Sequence, residues 1–515
     1  MKLSKKVLCC MLAGAMAVSM ATACSNSTGT SSTGGNTSSG GTTDNSNSGT
    51  NNENSTDNSE GGNNEGGNGG GTVEIPSNGS VLQWCGYYDL NTQDKELVER
   101  FNDAGYTIEY IATTSSEYFV KQSQLISSGD APDMVSYEWK CYPHGIQQNL
   151  YTPLDDYIDL DSALWSGIKT YADDYTYAGK HYYIPYQLRS GVVLIYNATA
   201  LENEGILTDP WDLYQQGEWT WDTWKQLMVE WCNLGEDYYG VMPTGFVAMP
   251  FIVSTGTKMI DVQDNDIINN MQDANVQRCQ DFLQDLARQG MVKEKYDGPE
   301  AALLDGKTLF TEFGLDWGYS STQGAMKDQS IRFVPIPRDG AADEYYMNTD
   351  TFGYLVPAGA KNVAAALKYM EICRENEIDP ERLEYAKKEA TAETLYYPKC
   401  QECGESYADK TVKDCPNCGA ERRVNSTHVA MPEELYDLSI ELKNPESDQF
   451  VFLFDNCFGF NDDMTTVMQT GNADGEEAVL GGPFLHGDSY TTIRDKYFGA
   501  VEGYLNPYRE ALKNS

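Results

Sequence analysis

The hydrophobic pattern changes character several times along the chain. Residues 80–88 read Ser-Val-Leu-Gln-Trp-Cys-Gly-Tyr-Tyr, a short apolar run of strand length. Leu97 and Phe101 then recur at helical spacing, and Thr107 to Ile111 predicts a second strand. A helix from about Ser116 to Ser128 stops at Gly129. Pro132-Asp-Met-Val-Ser-Tyr137 predicts a third strand. Strands alternating with helices imply a parallel sheet covered by helices. Ligands of such sheets sit beyond the carboxyl ends of the strands. Here those ends carry Tyr87, Tyr88, Asp89, Tyr137, Glu138 and Trp139. Further on, Thr220 opens a helix whose Trp224, Leu227, Met228 and Trp231 form one stripe, closed by Gly235. A stripe of that spacing predicts core packing rather than a ligand site. Val363, Leu367 and Met370 mark another helix, and Ile493, Tyr497, Val501 and Tyr504 a last one.

The segment upstream has a different logic. In residues 1–23, Lys2, Lys5 and Lys6 precede an apolar run from Val7 to Met20 and the small residues Ala21, Thr22 and Ala23. This is the pattern of an export signal. Ala-Thr-Ala-Cys24 resembles a bacterial lipobox, which implies lipidation of Cys24 and attachment to the membrane through that lipid alone. A plain secretory peptide is the alternative. Residues 24–79 hold almost only Ser, Thr, Gly, Asn, Asp and Glu after the cysteine. Such a composition buries too little apolar surface to offset chain entropy, so it is expected to be a disordered tether with a reach of roughly 40 Å. The formal charge of −41 repels phosphate backbones, and no basic stripe offsets it, so nucleic acid is excluded as a partner. A neutral polar ligand suits that charge better than an anionic one.

Several segments in order then carry a likeness: Ile126-Ser-Ser-Gly-Asp-Ala-Pro-Asp-Met-Val135, Asn149-Leu-Tyr-Thr-Pro-Leu-Asp-Asp156, and Gly179-Lys-His-Tyr-Tyr-Ile-Pro-Tyr186 with Leu194-Ile-Tyr-Asn197. Gly217-Glu-Trp-Thr-Trp-Asp222, Val334-Pro-Ile-Pro337 and Tyr354-Leu-Val-Pro-Ala-Gly-Ala-Lys361 continue it. Over nearly all of residues 80–515 the chain resembles family 1 extracellular solute-binding proteins of ABC importers, of the maltose-binding-protein-like, carbohydrate type. The resemblance implies an α/β, two-lobed periplasmic-binding-protein fold of type II, with two or three crossings and a solute cleft. It places lobe one at 80–190 plus 355–455, and lobe two at 191–354 with the C-terminal helices of 456–515, which pack across both. It implies a monomer that hands its solute to an ABC permease, and no enzymatic activity.

A sugar site needs aromatic faces for C–H surfaces and polar side chains for hydroxyls. The chain has 34 Tyr and 9 Trp against 16 Phe, although many of these must be core. By the resemblance, Trp139 and Trp317 are expected as stacking platforms, and Glu138, Arg189 and Asp316 as hydroxyl partners. Tyr88 and Tyr137 are expected at the rim, with Asp455 near a third crossing.

The sharpest local motif is Cys400-Gln-Glu-Cys403-Gly404, repeated eleven residues later as Cys415-Pro-Asn-Cys418-Gly419. Each knuckle sets two thiolates on one tight turn, and four thiolates close a tetrahedral shell with no open position for catalysis. The pair resembles a zinc ribbon, and predicts a structural zinc in an insert of residues 396–424, too short to fold on core burial. Iron or two disulfides remain alternatives. Cys85, Cys141, Cys232, Cys279, Cys373 and Cys457 lack framework spacing and read as buried small hydrophobes.

Two other functional classes stay open. A cell-surface glycoside hydrolase needs only two well-placed carboxylates, and the chain has 77 Asp plus Glu. Against it, there is no HExxH, G-x-S-x-G or Walker loop. An adhesion or scaffold module would use the cysteine insert as its contact.

Overall fold

The computed structural model describes residues 75–93, 95–243, 247–263, 266–294, 298–469 and 477–514. The signal segment, Cys24 and the tether up to residue 74 lie outside the described residues. Strand β1 (Val81–Gly86) buries Leu82, Trp84 and Cys85. It pairs in parallel with β2 (Thr107–Ala112) and β3 (Met134–Ser136). Helix α1 (Lys95–Asp103) connects β1 to β2, and α2 (Tyr118–Ser128) connects β2 to β3. Gly129 ends α2 with φ 82°, a left-handed turn that costs a residue without Cβ least. Its N–H and that of Asp130 donate to Ile126 and Leu125, so the last carbonyls of the helix are satisfied.

The first sheet is not wholly parallel. Strands β4 (Ile184–Arg189) and β12 (Asp350–Leu355) complete it in the order β2-β1-β3-β12-β4, and β12 runs antiparallel to both β3 and β4. The reason is the route of the chain. These two strands carry it out of the sheet and back into it, whereas a parallel neighbour needs a βαβ crossover on the same sheet. The return strand begins at Asp350, so residues 350–354, expected in the second lobe, hydrogen-bond in the first.

Between these two strands the chain builds a second sheet. It comprises β5 (Val192–Asn197), β6 (Tyr239–Met242), β9 (Thr308–Gly314) and β10 (Ile331–Pro335), in the order β10-β5-β9-β6. Strand β5 is buried at every position, as an apolar central strand should be. The tryptophan stripe lies on α3 (Trp221–Cys232), where Trp224, Met228 and Trp231 are fully buried. Thr220 caps this helix and exchanges hydrogen bonds with Thr223. The helix ends three residues before Gly235. A hairpin of β7 (Ile260–Gln263) and β8 (Asp266–Asn269) follows, then α4 (Ala274–Arg288).

Two features fix the lobes to the segments around them. Buried Asp133 accepts hydrogen bonds from the N–H groups of Gln83, Lys361 and Asn362, tying the sheet to the start of α6 (Val363–Ile378). The last helix, α9 (Tyr490–Asn514), touches both lobes. Tyr508 shares a 2.7 Å hydrogen bond with His144, which lies between β3 and β4, and Arg509 donates to the carbonyl of Ile267 in the β7–β8 hairpin. Among the described residues, no helix is long and apolar enough to cross a membrane. Trp224→Ala is expected to lower unfolding free energy by about 3–5 kcal/mol, read as a fall in the urea midpoint with little change in slope.

Candidate functional site

The site grows from the carboxyl ends of the first sheet. Trp84 turns the chain after β1 by donating from its indole N–H to the carbonyl of Tyr88 at 2.9 Å. This sets Tyr87 and Tyr88 edge to face, with ring centres 5.3 Å apart. Tyr118, buried on α2, donates to the carbonyl of Ser136 at 2.8 Å and fixes the end of β3. Glu138 follows in extended backbone, and Trp139 begins a single 3₁₀ turn. Tyr87 hydrogen-bonds the Glu138 carboxyl. Burial is the largest influence on that carboxyl and pushes it up to about 7. The tyrosine hydrogen bond and the charge of Arg189 pull it back, and Asp350 pushes it further up.

Arg189 and Asp350 are direct neighbours across the β4–β12 ladder. Their charged groups stand 3.6 Å apart. The guanidinium also lies 4.2 Å over the ring of Phe352, an arrangement that favours cation–π attraction. Burial raises the Asp350 carboxyl as well, opposed by Arg189 and by the N–H of Thr351. One cation is therefore shared by two half-buried carboxylates, at the point where the chain leaves the first lobe.

The second lobe reaches the same place. Helix α5 (Leu315–Ala325) follows β9, and the Asp316 carboxylate in its first turn accepts a 3.3 Å hydrogen bond from Ser190. Trp317, 36% exposed, leans on Phe313 with ring centres 5.0 Å apart and leaves apolar surface uncovered. Short strand β11 (Tyr346–Asn348) pairs with β13 (Val451–Leu453), so a third crossing lies beside the other two. Thr349 joins them, its N–H donating to Leu453 and its hydroxyl to the Arg189 carbonyl. A Cβ on Gly191 would stand 1.9 Å from the carbonyl oxygen of Asn348, so only glycine permits this approach.

Of the expected residues, Glu138 and Arg189 lie together and Asp316 is joined to them through Ser190, while Trp139 and Trp317 follow Glu138 and Asp316 in sequence and Tyr88 packs its ring against Trp84 and Tyr87. Two expected residues do not behave as anticipated. Tyr137 stacks on Tyr183 at 4.3 Å and packs against Tyr175 and Phe454, so its ring belongs to an aromatic cluster rather than a rim. Asp455 is buried, and its carboxylate accepts from the N–H groups of Met259, Ile260 and Cys457. Burial lifts it to about 6, and those three hydrogen bonds oppose the rise. It holds the third crossing against the second lobe, and its burial among backbone donors turns it away from a solute. One face of Trp139 is taken by Phe458, stacked at 4.7 Å. The sequence reading missed Ser190, Asp350 and Phe352. No local motif marks them, and they become visible only when β4 and β12 pair.

A second constellation lies on an arm beyond α6. Helix α7 (Pro380–Thr391) leads into the cysteine insert, and α8 (Glu433–Glu441) leads out. The four sulfurs of Cys400, Cys403, Cys415 and Cys418 lie within 4.8 Å of one another. Gly404 and Gly419 turn the two knuckles at φ 79° and 73°. Cys400 stands 3.7 Å from Cys418, and Cys403 stands 3.6 Å from Cys415. A disulfide bond spans about 2.05 Å, far less than either distance. Four thiolates about 2.3 Å from one central ion would be about 3.8 Å apart, close to what is seen. The donor set therefore fits a tetrahedral metal centre. Fully buried Arg422 donates to the carbonyls of Tyr397, Asp409 and Val412, cross-linking the insert that the cysteines pin. Among the described residues, the cysteines outside the insert form no disulfide, and all but half-buried Cys232 are buried.

The family model described as bacterial extracellular solute-binding protein matches residues 96–386. A search of curated proteins gives no match. Many solved structures share the architecture. One is the ABC substrate-binding protein Lmo0181 from Listeria monocytogenes in complex with cycloalternan, 14% identical with a TM-score of 0.52, covering 82% of this chain and 100% of that one. Another is the GacH receptor of Streptomyces glaucescens, solved unliganded and with acarbose, 15% identical with a TM-score of 0.55 over 84% of this chain and 99% of that one. A third is the sugar-binding protein MalE from Xanthomonas citri, 12% identical with a TM-score of 0.52 over 84% and 98%. At these identities the likeness is one of fold, and it gives the chain the two-lobed α/β architecture of such proteins.

The raised Glu138 carboxyl has a definite sign. Its folded value lies above the usual glutamate range, so it contributes stability that is full below about pH 4.3 and lost as pH rises through about 7. Glu138→Gln is expected to flatten that decline, compared by urea unfolding of both proteins at pH 5 and pH 8.

Proposed function

Because this chain belongs to the family of bacterial extracellular solute-binding proteins, we propose that it captures a sugar or oligosaccharide outside the cell and delivers it to an ABC importer. The observation that carries the reading is the meeting of both lobes around one group of side chains, in which Ser190 and Asp316 join the crossing to the second lobe beside Arg189 and Glu138. Aromatic faces at Trp317 and Trp139 suit the apolar side of a pyranose, while Arg189, Glu138 and Asp316 suit its hydroxyls. The cation shared by Glu138 and Asp350 leaves no net positive field, which supports an uncharged guest. The Listeria protein is described in complex with cycloalternan and the Streptomyces receptor in complex with acarbose, and the Xanthomonas protein is described as sugar-binding, which supports the reading. Closure is then a hinge motion, driven only by contacts the guest makes with both lobes. The protein acts as a monomer and releases its guest unaltered.

The N-terminal pattern supports export with a lipid on Cys24, the tether holding the lobes near the permease while letting them move. The four cysteines support a structural zinc, since the shell is closed by thiolates and zinc accepts tetrahedral sulfur without geometric preference of its own.

A thermal-shift panel of mono- and oligosaccharides tests the main reading. One sugar should raise the melting temperature and be recovered unchanged, whereas a sugar that is consumed or a panel without response would overturn it. Trp317→Ala is expected to weaken that sugar at least tenfold by isothermal titration without lowering the melting temperature of the free protein. Elemental analysis should find one zinc per chain, lost when Cys400 and Cys403 are both replaced by serine; a protein without bound metal would remove the zinc from this account.

A further inference from the structure

The cysteine insert is reached from one lobe and rests on the other. Helix α7 continues directly from α6 of the first lobe, and Arg382 secures the turn through Asn376 and Glu377. The insert is clipped back onto α7. Tyr385 donates to the Ala408 carbonyl and accepts from the Lys410 N–H, and Lys410 pairs with Glu389 at 2.9 Å. Past the insert, the chain reaches the second lobe. Lys327, just after α5, donates to the carbonyl of Ser426 at 2.7 Å. Arg332 of β10 meets Glu434 at the start of α8, 3.5 Å away. Lys387 of α7 also pairs with Glu433 and Asp437 of α8 at 2.8 and 2.7 Å, exposed contacts that add only modest strength between the two helices flanking the insert.

Resting on the metal reading of the four cysteines, we propose that the insert is a metal-organised strap that couples ion occupancy to the relative setting of the two lobes. A segment of this size has no adequate core of its own, so its order depends on the ion. Ser426, tied to Lys327, lies just beyond the insert, and Glu434, tied to Arg332, lies in the first turn of α8. When the ion holds the knuckles, Ser426 and Glu434 are presented in register with the second lobe. When it leaves, the segment between α7 and α8 lengthens in effect, and both ties loosen. Each tie is a surface contact of modest strength, which suits a bias on a hinge rather than a lock. The ion does no chemistry on the guest in this scheme. It alters how readily the lobes move.

Hydrogen exchange on the full chain tests this, comparing zinc-loaded protein with protein stripped by a chelator, without sugar. Exchange within 396–424 should rise on stripping, and exchange over 327–335 in the second lobe should rise severalfold with it. In the double variant Lys327→Ala, Arg332→Ala, the response over 327–335 should vanish while that of 396–424 persists. Glu434→Gln, which leaves both cations in place, should reduce the same response if the double variant folds poorly. A rise confined to 396–424 in the wild-type protein would overturn the strap and leave the zinc site standing. Absence of bound zinc by elemental analysis would overturn both, and neither outcome bears on sugar binding.

Discussion

Everything around the site depends on the contact between Gly191 and the carbonyl of Asn348. Two peptide segments that join the lobes pass each other at a distance that leaves no room for a side chain on one of them. From that approach the rest follows in a few steps. Thr349 can reach the Arg189 carbonyl, Arg189 can face Asp350 across the ladder, and Ser190 is left pointing at Asp316 of the second lobe. A larger residue at 191 would part the crossings and with them the charges they carry. The position is thus a constraint on backbone distance, while the charges belong to its neighbours.

Charge at the junction is handled by sharing. Arg189 serves both Glu138 and Asp350, and each carboxyl is nudged toward its neutral form by burial. Lys258 does likewise for Asp174 of the first lobe and Asp261 of the second, at 3.5 and 3.2 Å. Asp455 instead spends its charge on backbone N–H groups. Partly buried charges are costly unless paired. Arg189 meets that cost within the first sheet, and Lys258 meets it between segments of the two lobes.

Local patterns were legible wherever one element decides its own fate. The tryptophan stripe after Thr220, the stop at Gly129 and the cysteine knuckles all carry their reason within a few residues, and the structure shows each. Glu138 and Trp139 were named from a strand end as well as from the family resemblance, and Arg189 from the resemblance alone. What escaped depends on pairing between distant segments. The antiparallel return of β12 has the same apolar pattern as a parallel strand, so its direction, and with it Asp350 and Phe352, had no local signature. Asp455 was misjudged for a related reason. Its position near a crossing was foreseeable, but only three-dimensional packing reveals that backbone donors from residues 259 and 260 turn its carboxylate inward.

The last helix carries a mechanical implication. Tyr508 grips the first lobe and Arg509, the very next residue, grips the second. The same helix is fastened to second-lobe segments along its length, through Tyr490 to Met271, Arg494 to Gln277 and Glu502 to Asn269. Its hold on the second half is thus spread over several turns, whereas the Tyr508 contact with His144 lies in its final turns. The tail of the chain is an outrigger of one half that rests its toe on the other.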